Sequence, residues 1–130
     1  MKILVGFDAA KNSMKSLELA RKHARAFNAR VIVFTASGHS PELHTKELKE
    51  LQTRLHEIQD GFKQDDILCE THIAIRSLSP GEDLVYYAKD NDIDEIIIGV
   101  KLRSKIGKLI MGSTAQYIIL EAPCPVVTVK

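Results

Sequence analysis

The stretch from Gly99 to Thr114 holds the residues best suited to chemistry. It carries Lys101, Arg103, Lys105 and Lys108 and no acidic residue. A glycine at the end of the apolar run Ile96-Ile97-Ile98 lets another group approach the backbone closely. Gly112-Ser113-Thr114 stands before a helical pattern, which offers unpaired N–H donors, two hydroxyls and the positive end of a helix dipole. That combination suits an anion, phosphate above all. A solvated basic turn has the same composition, so charge alone does not decide. Asp8, just past the run Ile3 to Phe7, is the second candidate. Its carboxylate can accept ribose hydroxyls, help hold a metal ion, or simply cap the turn that ends a strand.

Other chemistries find less support. No G-x-G-x-x-G follows the first apolar run, and Gly107-Lys108 is followed by Leu109 rather than Ser or Thr, so neither a Rossmann dehydrogenase nor a P-loop NTPase fits. His23, His39, His44, His56 and His72 are scattered, and His39 with His44 lacks a third metal ligand. Ser113 has no G-x-S-x-G context. Asp65-Asp66 reads as a solvated loop and Glu82-Asp83 as the first turn of a helix, where acids complement the dipole. No catalytic constellation emerges.

The elements that must position these residues follow from hydrophobic periodicity. Ile3 to Phe7 predicts a buried first strand. From about Asn12 to Phe27, Met14, Leu17, Ala20, Ala24 and Phe27 recur at spacings of three and four, an amphipathic helix capped by Asn12 or Ser13. Val31 to Ala36 predicts a second strand, and Ser37 to Pro41 a loop. Ser40 and Pro41 suit the cap and first residue of a long helix carrying Leu48, Leu51, Leu55, Ile58 and Phe62, ending near Gly61 to Lys63. Ile67 to Arg76 alternates in part, as a strand does. Ser79-Pro80-Gly81-Glu82 is a capping box for a helix whose inner face is Leu84, Tyr87 and Ala88. Ile96 to Gly99, Ser113 to Leu120 and Val126 to Val129 complete a β-α-β-α-β-α-β-α-β order. Continuous Val/Ile runs imply strands covered on both faces, so the expected fold is a doubly wound α/β sandwich with a five-stranded, mainly parallel sheet. Ligands in such sheets sit beyond the carboxyl ends of the strands, here Asp8, Ala36 with Ser37, Arg76 with Ser77, and Gly99.

Composition bounds the partners. The chain of 130 residues suits one domain, 1–130, and 45% hydrophobic with 27% charged residues is ordinary for a folded protein. A net charge of +1 gives no general reason to expect nucleic acid or an anionic membrane. The apolar runs are too short to span a bilayer, and the N-terminus reads as a strand rather than a signal peptide. Cys69 and Cys124 lack metal-site spacing and sit in apolar runs, so buried free thiols and a cytoplasmic location are expected.

Taken together, Asp8 after the first strand, Ile-Ile-Ile-Gly at 96–99, Gly-Ser-Thr-Ala at 112–115 and the closing Cys-Pro-Val-Val-Thr-Val resemble the universal stress protein family from end to end. The resemblance implies the adenine nucleotide alpha hydrolase-like form of the doubly wound fold and a homodimer through the C-terminal strand. It also implies ATP or AMP as ligand, with Mg²⁺ a candidate companion. The nucleotide-binding subgroup carries G-x-x-G, nine residues, then G-[ST]. Gly99, Gly112 and Ser113 match that motif, while Leu102 stands at its second glycine. By resemblance Asp8 would meet the ribose or adenine side, Ala36 the adenine, and Gly99, Gly112, Ser113 and Thr114 the phosphates. Lys101 and Arg103 would neutralise phosphate charge, an inference from charge rather than from the motif. Three functions follow. The first is a nucleotide-binding stress-response sensor or regulator with no hydrolysis, or slow hydrolysis. The second is a dimeric interaction protein that has lost binding through Leu102. The third is an adenylate-forming or nucleotide-transfer enzyme, for which a substrate domain is missing.

Overall fold

The computed structural model describes residues 1–8, 13–36, 45–75, 79–100, 103–105 and 108–130. Five strands form one sheet: β1 (Lys2–Gly6), β2 (Arg30–Ala36), β3 (Cys69–Ala74), β4 (Glu95–Gly99) and, last in the chain, β7 (Val126–Val129), all but β3 rich in apolar residues. Their order is β3-β2-β1-β4-β7 and every pairing is parallel. Four helices join them: α1 (Ser13–Phe27), α2 (Thr45–Gln64), α3 (Pro80–Asp90) and α4 (Ser113–Glu121). Ile3, Val5 and Val33 meet Leu17, Ala20 and Ala24 of α1 and Leu55 and Phe62 of α2 on one face. Leu4, Ile32 and Phe34 meet Leu84, Val85 and Ala88 of α3 and Ile118 of α4 on the other. Alternate residues of β1, β2 and β4 thus enter different cores, which is why these inner strands show no polar face, whereas edge strand β3 exposes Glu70 and His72.

Two expectations about helix faces need correction. Met14 and Phe27 continue the three-four spacing of α1 yet lie more than half exposed. The helix buries Ser13 and Ser16 beside Leu17, because small side chains let α1 lie close to the sheet. In α2, Leu51, Leu55, Ile58 and Phe62 do point inward, and the helix ends at Gln64. The expected start at Ser40 and Pro41 lies outside the described residues. Asp65 ties the two helices together, pairing with Arg21 and, at 2.8 Å, with Arg25. Arg21 also donates to the Gly61 carbonyl and stacks 4.7 Å from the Phe62 ring centroid. The expected solvated Asp65 is therefore part of a helix-helix clamp. Asp66 turns the chain toward β3 with φ of 57°, a conformation aspartate tolerates.

Between β4 and α4 lies a feature absent from the sequence reading. Short strands β5 (Arg103–Lys105) and β6 (Lys108–Ile110) pair antiparallel as a separate ribbon. The basic stretch read as a loop is a hairpin, too short for its pattern to stand out from the surrounding polar residues. At the far side of the sheet, β3 is an edge strand. His72 stacks on Phe34 with ring centroids 5.5 Å apart and lies 4.7 Å from Tyr87. The Leu68 carbonyl accepts from Val31 of β2, so the next carbonyl, that of Cys69, faces away from the sheet, where the Gln59 amide donates to it at 2.8 Å.

Both cysteines are free, as expected, but half-buried rather than buried, because Cys69 lies on that edge strand and Cys124 in the turn before β7. Burial first, then the Glu70 charge, pushes the Cys69 thiol up to about 12. Burial likewise raises Cys124 and Tyr87. Among the described residues no helix is long and apolar enough to cross a membrane.

Two outcomes follow from this packing. Phe62 is fully buried between α1, α2 and the sheet. Phe62→Ala should lower the unfolding free energy by about 3–5 kcal/mol, read by urea denaturation; a loss below about 1 kcal/mol would contradict this packing. A thiol whose folded pKa is raised stabilises the fold below its unfolded pKa, and that stability fades as pH rises toward the folded value. Stability should therefore fall between pH 9 and pH 12, and Cys69→Ala should flatten that fall in denaturation curves taken across the range.

Candidate functional site

Chain order and sheet order disagree at one place. From β1 the chain moves outward through β2 to β3, then α3 carries it back across to β4 on the other side of β1. The connection after β1 therefore runs over one face and that after β4 over the other, the topological switch point at which such sheets take ligands. Gly6 closes β1 at this place. A Cβ there would stand 3.1 Å from Ile98 Cγ2 and 3.2 Å from Leu84 Cδ1, so glycine allows β1, β4 and α3 to meet tightly.

Asp8 lies just beyond. Phe7 is buried and donates its N–H to the Phe34 carbonyl at 2.7 Å. Asp8 is exposed, and its main chain is held by α1: its N–H donates to Ser13 Oγ at 2.8 Å and its carbonyl accepts from the Ser13 hydroxyl. The expected capping serine thus anchors the backbone of Asp8 at the edge. The Arg54 guanidinium of α2 lies 5.8 Å from the Phe7 ring centroid. Nothing in the helical spacing of α2 singled that cation out.

The start of α4 supplies the other side. Gly112 is its N-cap, with φ of −61°, ψ of 153° and no capping side chain. The Gln116 N–H reaches the Gly112 carbonyl at 3.1 Å, and the Gln116 amide reaches that of Met111 at 2.7 Å. Ser113 and Thr114 are exposed, while Ala115 is buried and seats the turn. Any residue can adopt the Gly112 backbone, and a Cβ built there meets none of the described residues within 4 Å. Neither the fold's dihedrals nor its packing asks for glycine at 112; what glycine keeps there is free space. Two helix N-termini share this neighbourhood. Gly81 brings the first turn of α3 against α4, where its Cβ would lie 3.4 Å from the Thr114 carbonyl. Their electrostatics differ. The α3 start is capped by Ser79 and carries Glu82 and Asp83, whereas the first turn of α4 has no acid. The positive end of α4 is the one left uncompensated within its own helix.

The expected site residues fall into place unevenly. Asp8 follows β1, Ala36 ends β2, Gly99 ends β4, and Gly112, Ser113 and Thr114 open α4, all at the carboxyl edge of the sheet. Arg103 is the first residue of β5, opposite Ile110. Lys101, Leu102, Gly107, His39 and the strand end at Arg76 and Ser77 lie outside the described residues. Among the described residues no three His, Cys, Asp or Glu side chains converge as metal ligands. His23 instead bonds Glu95 at 2.6 Å, at the opposite edge of the sheet.

Comparison with known proteins agrees with this architecture. A sequence model described as the universal stress protein family matches residues 1–130. A universal stress protein of Thermus aquaticus is 25% identical over 98% of this chain and 97% of its own. The structure of a universal stress protein from Archaeoglobus fulgidus superposes with a TM-score of 0.84 at 27% identity, covering 100% of this chain and 93% of that one. A structure of the Archaeoglobus fulgidus universal stress protein in complex with dAMP gives 0.79 at 25% identity, covering 100% and 98%. With the match running from end to end, the chain belongs to the universal stress protein family.

Proposed function

We propose that this protein binds an adenine nucleotide, ATP or AMP, at the carboxyl edge of its sheet and acts as a cytoplasmic sensor or regulator in a stress response. The observation that carries the reading is the space, clear of the described residues, that Gly112 keeps at an uncapped helix start, beside the edge that Asp8 and Gly99 flank. A phosphate there would accept the first N–H groups of α4 and the Ser113 and Thr114 hydroxyls. Asp8 would take ribose hydroxyls and Ala36 would border the base. Lys101 and Arg103 would offset phosphate charge. The dAMP complex of the related Archaeoglobus fulgidus protein supports an adenine nucleotide as the ligand class. Mg²⁺ would arrive with the phosphates, since Mg²⁺ retains waters and needs few protein carboxylates. Hydrolysis, if any, is slow, because no base or water-positioning group is evident in the sequence.

A homodimer through β7 belongs to the same proposal. β7 is the outer strand, and Val126, Val127 and Val129 are only half-buried there. A second reading keeps this dimer and drops the nucleotide. Leu102 at the motif's second glycine favours it, since leucine resists positive φ and adds bulk.

Calorimetric titration of nucleotide into refolded, ligand-free protein tests both. Saturable binding of one nucleotide per chain is expected, with unfolding stability rising by about 2.7 kcal/mol at one hundred times Kd. Gly112→Val should fold normally and lose about tenfold or more in affinity; unchanged affinity would remove the phosphate assignment. Leu102→Gly should change affinity by less than about threefold, or roughly 0.6 kcal/mol. Absent wild-type binding and a large gain in Leu102→Gly would instead favour the interaction protein.

A further inference from the structure

We infer that the outer rim of β3 docks an extended peptide as a further strand of the sheet, and that the peptide it fits has an arginine between two apolar residues. The first half follows from the backbone. In the parallel pairing with β2 the Leu68 carbonyl accepts from Val31. Glu70, His72 and Ala74 therefore turn their backbone groups toward β2, while Cys69, Thr71 and Ile73 turn theirs outward. The Gln59 amide takes the Cys69 carbonyl. The outward N–H and C=O groups of Thr71 and Ile73 have no partner among the described residues. Such a row is a template for another extended backbone.

The second half follows from the two walls of the rim. On one face Gln52, Leu55, His56 and Gln59 of α2 line a cleft of about 280 Å³ with Thr71 and Ile73. Pockets for whole small molecules run from about 300 to 1,000 Å³, so this one suits side chains projecting from a strand. Leu55 is buried and Ile73 half-buried there, and His56 stands 3.5 Å from Asp60, which leaves the cleft an apolar floor. The other face differs. The exposed His72 ring lies 4.7 Å from the Tyr87 ring. Glu70 is exposed and gives one oxygen to Arg30 at 3.2 Å. Its other oxygen and the Tyr87 hydroxyl have no partner among the described residues. A guanidinium can stack on the rings and donate to both oxygens. Strand side chains alternate, so an arginine over His72 puts its two neighbours at the levels of Thr71 and Ile73, in the cleft. A second copy of β3 does not fit this rim. It would bring its own α2, whose Gln59 flank reaches the same space. The occupant is a lone segment of another protein, with no helix beside it.

The test is an anisotropy titration of the full chain with the labelled peptide Gly-Ser-Val-Arg-Val-Ser-Gly. Saturable binding is expected, about tenfold weaker when Glu replaces the Arg, and lost when the Val, Arg and Val nitrogens are methylated. Thr71→Pro removes one outward N–H where an edge strand tolerates proline, so it should fold and bind about tenfold or more weakly. The methylated peptide decides the same point without altering the protein. Glu70→Gln should narrow the preference for Arg over Glu to less than about threefold. No binding by folded wild type, or binding that survives both methylation and Thr71→Pro, would overturn the site. Equal affinity for the Arg and Glu peptides would overturn the arginine. Self-association that Thr71→Pro abolishes, without peptide binding, would overturn the peptide and give the rim to a second copy.

Discussion

The return of the chain past its own first strand is the constraint on which the rest of this structure depends. β1 is the centre of the sheet and has to pair on both sides before the core can close. The connections on its two sides then cover opposite faces, which makes the edge between them a topological switch point. Gly6 lets the two sides approach, and Ser13 and Gly112 open the helices that diverge from the gap. The site is thus a by-product of topology. Chemistry enters only through the few residues that the gap exposes.

The fold was legible because its apolar runs are long and uninterrupted. Ile3 to Phe7, Val31 to Ala36 and Ile96 to Ile98 are covered on both faces, so tertiary context and local pattern agree. Legibility fell where packing is set by size rather than hydrophobicity. On α1, periodicity favoured Met14 and Phe27, but proximity to the sheet selected Ser13 and Ser16 for the inside. Asp65 looked like solvated punctuation because its partners, Arg21 and Arg25, lie some forty residues earlier. Long-range ion pairs leave no local signature.

The candidate site was legible in its glycines and hydroxyls but not in its shape. Gly112-Ser113-Thr114 announces a helix start, yet only the backbone angles and the open space reveal that the fold itself does not require Gly112. The ribbon escaped notice because three-residue strands fall below the length at which alternation can be counted. Arg54 escaped because it reaches Phe7 from another element. In each case the missing information was which segments become neighbours.

The amide of Gln59, resting on the outward carbonyl of Cys69, gives the two borders of the sheet different characters. One border has a hydrogen-bonding group already engaged by its own helix, and an exposed histidine and glutamate on its strand. The other, β7, carries valines and a threonine and no charge. An open parallel sheet with two equivalent borders could propagate from molecule to molecule without limit. The two borders of this sheet are therefore not equivalent, and pairing through one would not imply pairing through the other.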